Sequence, residues 1–161
     1  MGNTYGDQDT AIKLKAIFQK TTPVDVSWQF PVQSTQDNFV FKATVGRLPA
    51  KVMNTFTKPN LNVGFEGVTE QTYFTIDGNH TQSNIALRMK YEDFKIAILK
   101  KDGREKNKLL SGIANLFVGK GSKEDSDNFK EGKGNAERDA TKSFFNYLWL
   151  NVKSGLLKTL S

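Results

Sequence analysis

Apolar and polar residues alternate along most of the first hundred positions of the chain. In "TPVDVSWQFPV" every second residue from Val24 to Val32 is valine, tryptophan or phenylalanine, and the residues between them are polar or proline. The segments "TAIKLKAIFQK" and "DNFVFKATV" on either side have the same period of two. This period is typical of β-strands that have one apolar face and one polar face.

Four further segments continue the alternation, and one helix interrupts it. The segments are "LNVGFEGV", "VTEQTYFTIDG", "SNIALRMKY" and "DFKIAILKKDG". The residues "DGNH" between the second and the third predict a hairpin turn. The interruption, "RLPAKVMNTFTKPN", has Leu48, Val52 and Phe56 on one helical face, and Pro59 is expected to end this short helix.

The pattern changes to helical spacing after Gly103. The segment "NKLLSGIANLFVG" predicts a helix that ends at Gly119. The polar, glycine-rich "KGSKEDSDNFKEGKG" predicts a loop, and "FKEGKGNAERD" predicts a weak strand. A final helix follows, with Asp139 or Thr141 as its expected N-terminal cap.

These elements predict one α+β domain over residues 1–161, a length that is sufficient for a single hydrophobic core. Residues 1–100 are expected to form most of a curved antiparallel sheet of about six to eight strands, with one short internal helix. Residues 104–161 are expected to form a helix, a polar loop, a weak strand and a C-terminal amphipathic helix. The two C-terminal helices are predicted to cover or cap the sheet.

The composition excludes several kinds of catalytic and metal site. The chain has no cysteine and one histidine, so a thiolate zinc site, a multi-histidine zinc site and a cysteine nucleophile are excluded. No G-x-S-x-G motif is present, and His80 lies in the predicted hairpin turn, where a surface role is expected. We therefore predict a protein that is not an enzyme and that has no catalytic residues, cofactor or metal.

The net charge of +6 raises the question of nucleic-acid binding. No dense basic run is present, and lysines that alternate along strands usually point outward and keep the surface soluble. Trp28 and Phe30 share their predicted strand face with valines, not with arginines, so a stacking platform for bases is not expected there. The sequence predicts no nucleic-acid partner.

The apolar strand face has two interpretations. In the first, an open sheet holds acyl chains in a hydrophobic groove, and the domain handles lipid. In the second, the protein's own helices cover the sheet completely, and the domain is a non-catalytic structural or protein-interaction module. The side chains predicted to line the groove under the first interpretation are Val24, Val26, Trp28, Phe30, Phe39, Phe41, Phe74, Ile76, Ile85, Leu87 and Met89.

The final helix, "KSFFNYLWLNVKSGLLKTL", has more apolar residues than one packed face needs. Its predicted packing stripe contains Phe145, Leu148, Trp149, Val152, Leu156 and Leu160. The remaining apolar residues and the lysines suggest contact with a membrane surface or a partner. The residues assigned to capping the groove or to this contact are Phe144, Phe145, Leu148, Trp149, Val152, Leu156, Lys153 and Lys158.

Residues 37–160 resemble the C-terminal end of large AsmA-like proteins of the bacterial envelope. The resemblance lies in a succession of patterns: "GRLPAKVMNTFTKPNLNVGFEG", "YFTIDGNHTQSNIALRMKYEDFKIAILKKDGREKNKLLSGIANLFV" and "ERDATKSFFNYLWLNVKSGLLKTL". Within them, Leu61 and Asn62 start a strand after a short helix. The central strand has the residues of the family pattern at Ala86, Met89, Tyr91, Asp93, Phe94 and Lys95.

The resemblance implies a function in lipid handling. It implies a periplasmic protein of a Gram-negative bacterium, anchored in the inner membrane, whose β-groove conducts phospholipid between the two membranes or supports outer-membrane homeostasis. Phospholipid or another acyl lipid is the expected ligand, and a membrane surface or other envelope proteins are the expected contacts. This chain is then the distal fragment of a larger protein.

Overall fold

The computed structural model describes residues 9–100, 113–118 and 129–160. In these ranges the chain is an α+β domain built on one antiparallel sheet that does not close on itself. The strands are β1 (Asp9–Phe18), β2 (Thr22–Pro31), β3 (Phe39–Val45), β4 (Leu48–Pro49), β5 (Val63–Gly78), β6 (Gln82–Leu99), β7 (Ile113–Val118) and β8 (Lys130–Glu137). The helices are a 3-10 turn (Ala50–Met53), α1 (Asn54–Leu61) and α2 (Phe144–Leu160).

The strand order is β1-β2-β3-β5-β6, and both β7 and β8 pair with β6. They occupy different halves of that long strand: β8 pairs with residues 82–89 and β7 with residues 95–99. The two-residue β4 pairs with β5. The predicted antiparallel sheet of six to eight strands is therefore confirmed in the described part of the chain.

Both central strands are longer than the alternation predicts, because each contains a β-bulge. Buried residues of β6 fall on odd positions from Ser83 to Tyr91 and on even positions at Phe94 and Ile96. The extra residue at Asp93, which has a φ of 47°, keeps both sets on the same face of the sheet. Gly67 of β5, whose φ is 89°, lies opposite this bulge, and β5 has its own extra residue at Glu70, where the register shifts between Thr69 and Gln71. The apolar positions change between odd and even numbers at each bulge. The alternation therefore predicted two strands where the structure has one.

Helix α2 packs on β8 and β6 through glycine. A Cβ atom built on Gly132 would lie 2.6 Å from the backbone nitrogen of Thr159, and one built on Gly155 would lie 3.2 Å from Leu87 Cβ. Only residues without a side chain allow so close an approach of helix and sheet. The contact seals a core that includes Ile76, Ile85, Leu87, Met89 and Leu156.

A buried polar cluster fixes the rotation of α2 on the sheet. Asn151 has no exposed surface, and its Nδ2 donates to Ser83 Oγ on β6 at 2.7 Å and to the carbonyl oxygen of Tyr147 at 3.0 Å. Because an unpaired buried amide costs about 1–3 kcal/mol, a rotation of the helix that broke these bonds would be disfavoured.

The helix predicted over residues 107–119 is wrong for residues 113–118, which form β7. Their helical spacing is compatible with a short strand, and hydrogen bonding to residues 95–99 of β6 decides the conformation. The rest of that predicted helix and residues 119–128 of the predicted loop lie outside the described residues. The weak strand predicted near residue 130 is confirmed as β8.

Two predicted helix boundaries are also wrong. Pro59 lies inside α1 instead of ending it, and the helix stops at Asn62, which has the left-handed conformation that commonly terminates helices. At α2 the hydroxyl of Ser143 accepts a hydrogen bond from the Asn146 backbone N–H at 3.2 Å, so the cap is neither Asp139 nor Thr141.

We expect Gly132→Ala to lower the free energy of unfolding by about 1–3 kcal/mol, because the added methyl group forces α2 away from β8. Gly64→Ala is the matched control, since the atom nearest to its Cβ is Lys58 Cε, at 3.1 Å on a flexible side chain. Urea unfolding followed by circular dichroism measures both variants. An equal or smaller loss for Gly132→Ala would contradict this account of helix docking.

Candidate functional site

The apolar face of the sheet extends beyond the area that α2 covers. Among the described residues, α2 packs mainly on β8 and β6, whereas the apolar side chains of β1 remain in contact with solvent. Ile12 is 50% exposed, Leu14 is 55% exposed and Phe18 is 37% exposed. We call this region the open face. It consists of Ile12, Leu14, Ala16 and Phe18 of β1 and the half-buried Val24 and Val26 of β2.

A cleft of about 410 Å³ adjoins the open face. It lies where the end of β2, the start of β3, the β5–β6 turn and the start of α2 meet. Trp28 connects the two regions, because it lines the cleft and is paired with Ile12 of β1 in the sheet register. The lining residues are Trp28, Phe30, Pro31, Val32, Ser34, Asp37, Asn38, Phe39, Asn79, His80, Arg138, Phe144 and Tyr147.

The apolar wall of the cleft is a cluster of aromatic rings. The rings of Trp28 and Phe144 are stacked with centroids 4.9 Å apart, and Phe39 meets Phe144 edge-on at 5.1 Å. Phe30 lies 5.4 Å from Trp28, and Tyr147 lies 6.0 Å from Phe39. Stacked and edge-to-face rings each restrain their neighbours, so the wall is held in place before any ligand arrives.

The indole N–H of Trp28 is enclosed but has no hydrogen-bond acceptor among the described residues. Leaving such a donor unpaired costs about 1–3 kcal/mol, and buried polar groups in native proteins nearly always have a partner. The nitrogen has less than 1 Å² of accessible surface, so it does not face the open space of the cleft.

Arg138 provides the positive charge at the rim of the cleft. Its Nη1 donates to the carbonyl oxygen of Ser143 at 3.0 Å, and its guanidinium carbon lies 5.4 Å from the centre of the Tyr147 ring. No carboxylate oxygen of the described residues lies within 4.0 Å of this guanidinium. The side chain is thus oriented, and it retains further N–H donors.

His80 also lies at the rim. Its Nδ1 is 2.9 Å from the carbonyl oxygen of Gln36, and its backbone N–H donates to the same oxygen at 3.0 Å. Because a carbonyl oxygen only accepts, Nδ1 carries the proton and Nε2 is the ring nitrogen left for other contacts. These two bonds tie the β5–β6 turn to the β2–β3 loop across the cleft.

Two groups near the rim have shifted pKa values. Hydrogen bonds from the Thr141 hydroxyl and backbone N–H to the exposed carboxyl group of Asp139 lower its pKa, and the charges of Lys142 and Arg138 add to the effect. Burial raises the pKa of the Tyr147 phenol, so at neutral pH this group is protonated and donates to the carbonyl oxygen of Asn79 at 3.3 Å.

The eleven side chains predicted to line a groove fall into two groups. Six are only partly buried: Trp28 and Phe30 line the cleft, Val24 and Val26 belong to the open face, and Phe41 and Phe74 pack at the margin of the core. The five that are buried belong to the core cluster with α2: Phe39, Ile76, Ile85, Leu87 and Met89. Of the buried five, Phe39 also lines the cleft.

The packed face of α2 differs from the predicted stripe at its start. Phe145 is 79% exposed, whereas Phe144 and Tyr147, which lie off the predicted stripe, make the ring contacts. Leu148 and Leu156 are buried as predicted, and Trp149 and Val152 pack at the margin of the core. Lys153 is half-buried and Lys158 is exposed. The buried Asn151 and the close approach at Gly155 set this rotation, and a count of apolar residues detects neither of them.

The opposite face of the sheet has a shallow depression of about 360 Å³ with mixed charge. Arg88 lies 4.5 Å from the centre of the Phe129 ring and 4.0 Å from a carboxylate oxygen of Glu131. Lys42 and Lys133 also line this depression. Alternation gave no sign that Phe129 and Arg88 meet here, because the sheet pairs distant segments.

Comparisons with protein-family models, with curated proteins and with solved structures give no match to this chain. The AsmA-like resemblance therefore stays a prediction from the sequence. No group of three or more potential metal-ligating side chains occurs within residues 9–100, 113–118 and 129–160. Neither described helix has the length and apolar character required to cross a bilayer.

We expect Phe144→Ala to lower the free energy of unfolding by about 2–4 kcal/mol, because it removes a ring that touches Trp28, Phe39 and Tyr147. Phe145→Ala, one residue further along, is expected to change it by less than about 0.5 kcal/mol. Thermal unfolding and tryptophan fluorescence would compare them. Equal losses of unfolding free energy in the two variants would indicate that Phe145 packs against the sheet, as the predicted stripe requires.

Proposed function

We propose that this domain binds the acyl chain of a phospholipid or another acyl lipid in the cleft and along the open face. The observation that carries the proposal is the continuity of the two surfaces. Large apolar side chains of β1 are half exposed directly beside a preformed aromatic cleft, and the register pairs Ile12 with Trp28 between them.

The energetics favour an elongated apolar ligand. Each methylene group removed from water contributes about 0.8 kcal/mol, and the open face offers a row of apolar side chains beside the cleft. From Ile12 to Phe18 this row extends over about 20 Å at 3.3 Å per residue. The cleft volume lies in the range of about 300–1,000 Å³ that is typical of small-molecule sites.

The proposal includes the biological role that the sequence resemblance implies. Under it, the domain is the C-terminal module of an AsmA-like protein in the periplasm of a Gram-negative bacterium, with the whole protein anchored in the inner membrane. It contributes to phospholipid transport or outer-membrane homeostasis and carries out no chemistry on the lipid. An open antiparallel sheet with an uncovered apolar face and a helix docked at one side supports this role.

The edge strand β1 favours a second candidate function, a non-catalytic protein-interaction module. Within the described part of the chain its ten residues pair only with β2, so one row of backbone donors and acceptors has no strand partner there. Such an edge can accept a strand from a partner. Lys13 and Lys15 on the polar side of β1 disfavour indiscriminate pairing.

We expect Leu14→Lys to weaken binding of a fluorescent fatty acid about five- to tenfold, because the substitution puts a charge on the open face. Ile17→Lys is the matched control. Ile17 is 63% exposed on the same strand and points to the opposite face, so this variant is expected to bind like the wild type.

The same titration separates the two functions. If the wild-type protein takes up no fatty acid, the lipid-binding function is rejected and the protein-interaction function remains. Equal weakening by Leu14→Lys and Ile17→Lys would show that the charge, and not the open face, affects the probe.

Under the proposed function, Phe145 supports contact with a membrane surface, because this large side chain projects into solvent at the start of α2. We expect the wild type to float with vesicles containing anionic phospholipid and Phe145→Ser to float less, since the substitution removes the apolar insertion. Phe56→Ser is the control and is expected to float like the wild type, because Phe56 is 57% exposed but lies on α1. Flotation of neither the wild type nor the variants would exclude this contact.

A further inference from the structure

The cleft has two chemically different parts. Its aromatic wall continues onto the open face, whereas Arg138, His80 and the residues of the β2–β3 loop form a polar rim. A ligand that fills both parts has an apolar chain and a polar head group. This arrangement determines which end of an amphiphile lies where, a property that an apolar face alone does not have.

The polar rim is suited to negative charge. Arg138 is oriented by the carbonyl oxygen of Ser143 and by the Tyr147 ring, and no carboxylate of the described residues forms a salt bridge with it. Asp37 is the acidic residue of the lining, and its exposed side chain is screened by solvent. An oriented guanidinium with unused donors is the group that best binds carboxylate and phosphate oxygens.

The ring of Trp28 joins the two parts of the cleft. It lines the cleft, and the sheet register pairs it with Ile12 of β1. An alkyl chain that packs on this ring therefore continues onto the open face, while its head group stays at the rim near Arg138.

We propose that the cleft selects amphiphiles with an oxyanion head group, a carboxylate or a phosphate ester. Arg138 binds the charged oxygens, and the chain packs on the ring of Trp28 and extends over the open face towards Leu14. This inference rests on the proposed lipid binding and adds to it the charge of the ligand and its direction on the sheet.

The test is isothermal titration calorimetry with three amphiphiles of equal chain length: dodecanoate, dodecyl phosphate and dodecanol. We expect the wild type to bind the two anions about tenfold more tightly than dodecanol, as a charge-assisted hydrogen bond allows. The anion that binds more tightly identifies the class of ligand, a fatty acid or a phosphate-bearing lipid.

Two variants assign the roles. Arg138→Gln is expected to make all three affinities equal, whereas Arg88→Gln, which removes the same charge from the opposite face, is expected to keep the tenfold preference.

The outcomes separate this inference from the proposed function. Equal binding of the three amphiphiles by the wild type, or an unchanged preference in Arg138→Gln, would overturn the head-group assignment and leave acyl-chain binding intact. Binding of none of them would overturn both. If Arg138→Gln does not fold, Arg138→Lys and the wild type in increasing salt replace it, since salt must weaken the anions and not dodecanol.

Discussion

The close contact of α2 with β8 is the constraint on which the rest of the described structure depends. Three glycines, Gly132, Gly134 and Gly155, bring the helix backbone against the sheet, and Asn151 holds the helix to β6 by its hydrogen bonds with Ser83. A helix held so close to β8 and β6 buries that side of the apolar face and, among the described residues, leaves the β1 side uncovered. The position of the open face follows from where the glycines are.

The same docking builds the cleft. Because Asn151 sets the rotation of α2, Phe144 and Tyr147 at the start of the helix point at Trp28 and Phe39, while Phe145 points into solvent. The aromatic wall thus joins residues more than a hundred positions apart in the sequence. Its geometry is a consequence of helix packing, and an enclosed tryptophan N–H is left where the helix meets the strand.

Alternation was sufficient to predict the antiparallel sheet, the hairpin near residue 80 and the α+β class, because a period of two survives over most of β1, β2, β3, β5 and β6. It failed at Glu70 and Asp93, where an extra residue shifts the period by one position and imitates a strand end. It also failed at residues 113–118, where pairing with β6 decides between helix and strand. Of the candidate site, Trp28, Phe30 and Phe39 were predicted as apolar lining. The role of Arg138 could not be predicted from the sequence, because its position at the rim depends on the turn after β8 and on the docking of α2.

The division of β6 between two partners has a structural consequence. β8 uses residues 82–89 and β7 uses residues 95–99, with the Asp93 bulge between the two ladders. No backbone hydrogen bond of one ladder is shared with the other. The β8 ladder, which ends beside the cleft, is therefore hydrogen-bonded independently of the β7 ladder, and β7 is linked to the walls of the cleft through β6 and through its contacts with α2.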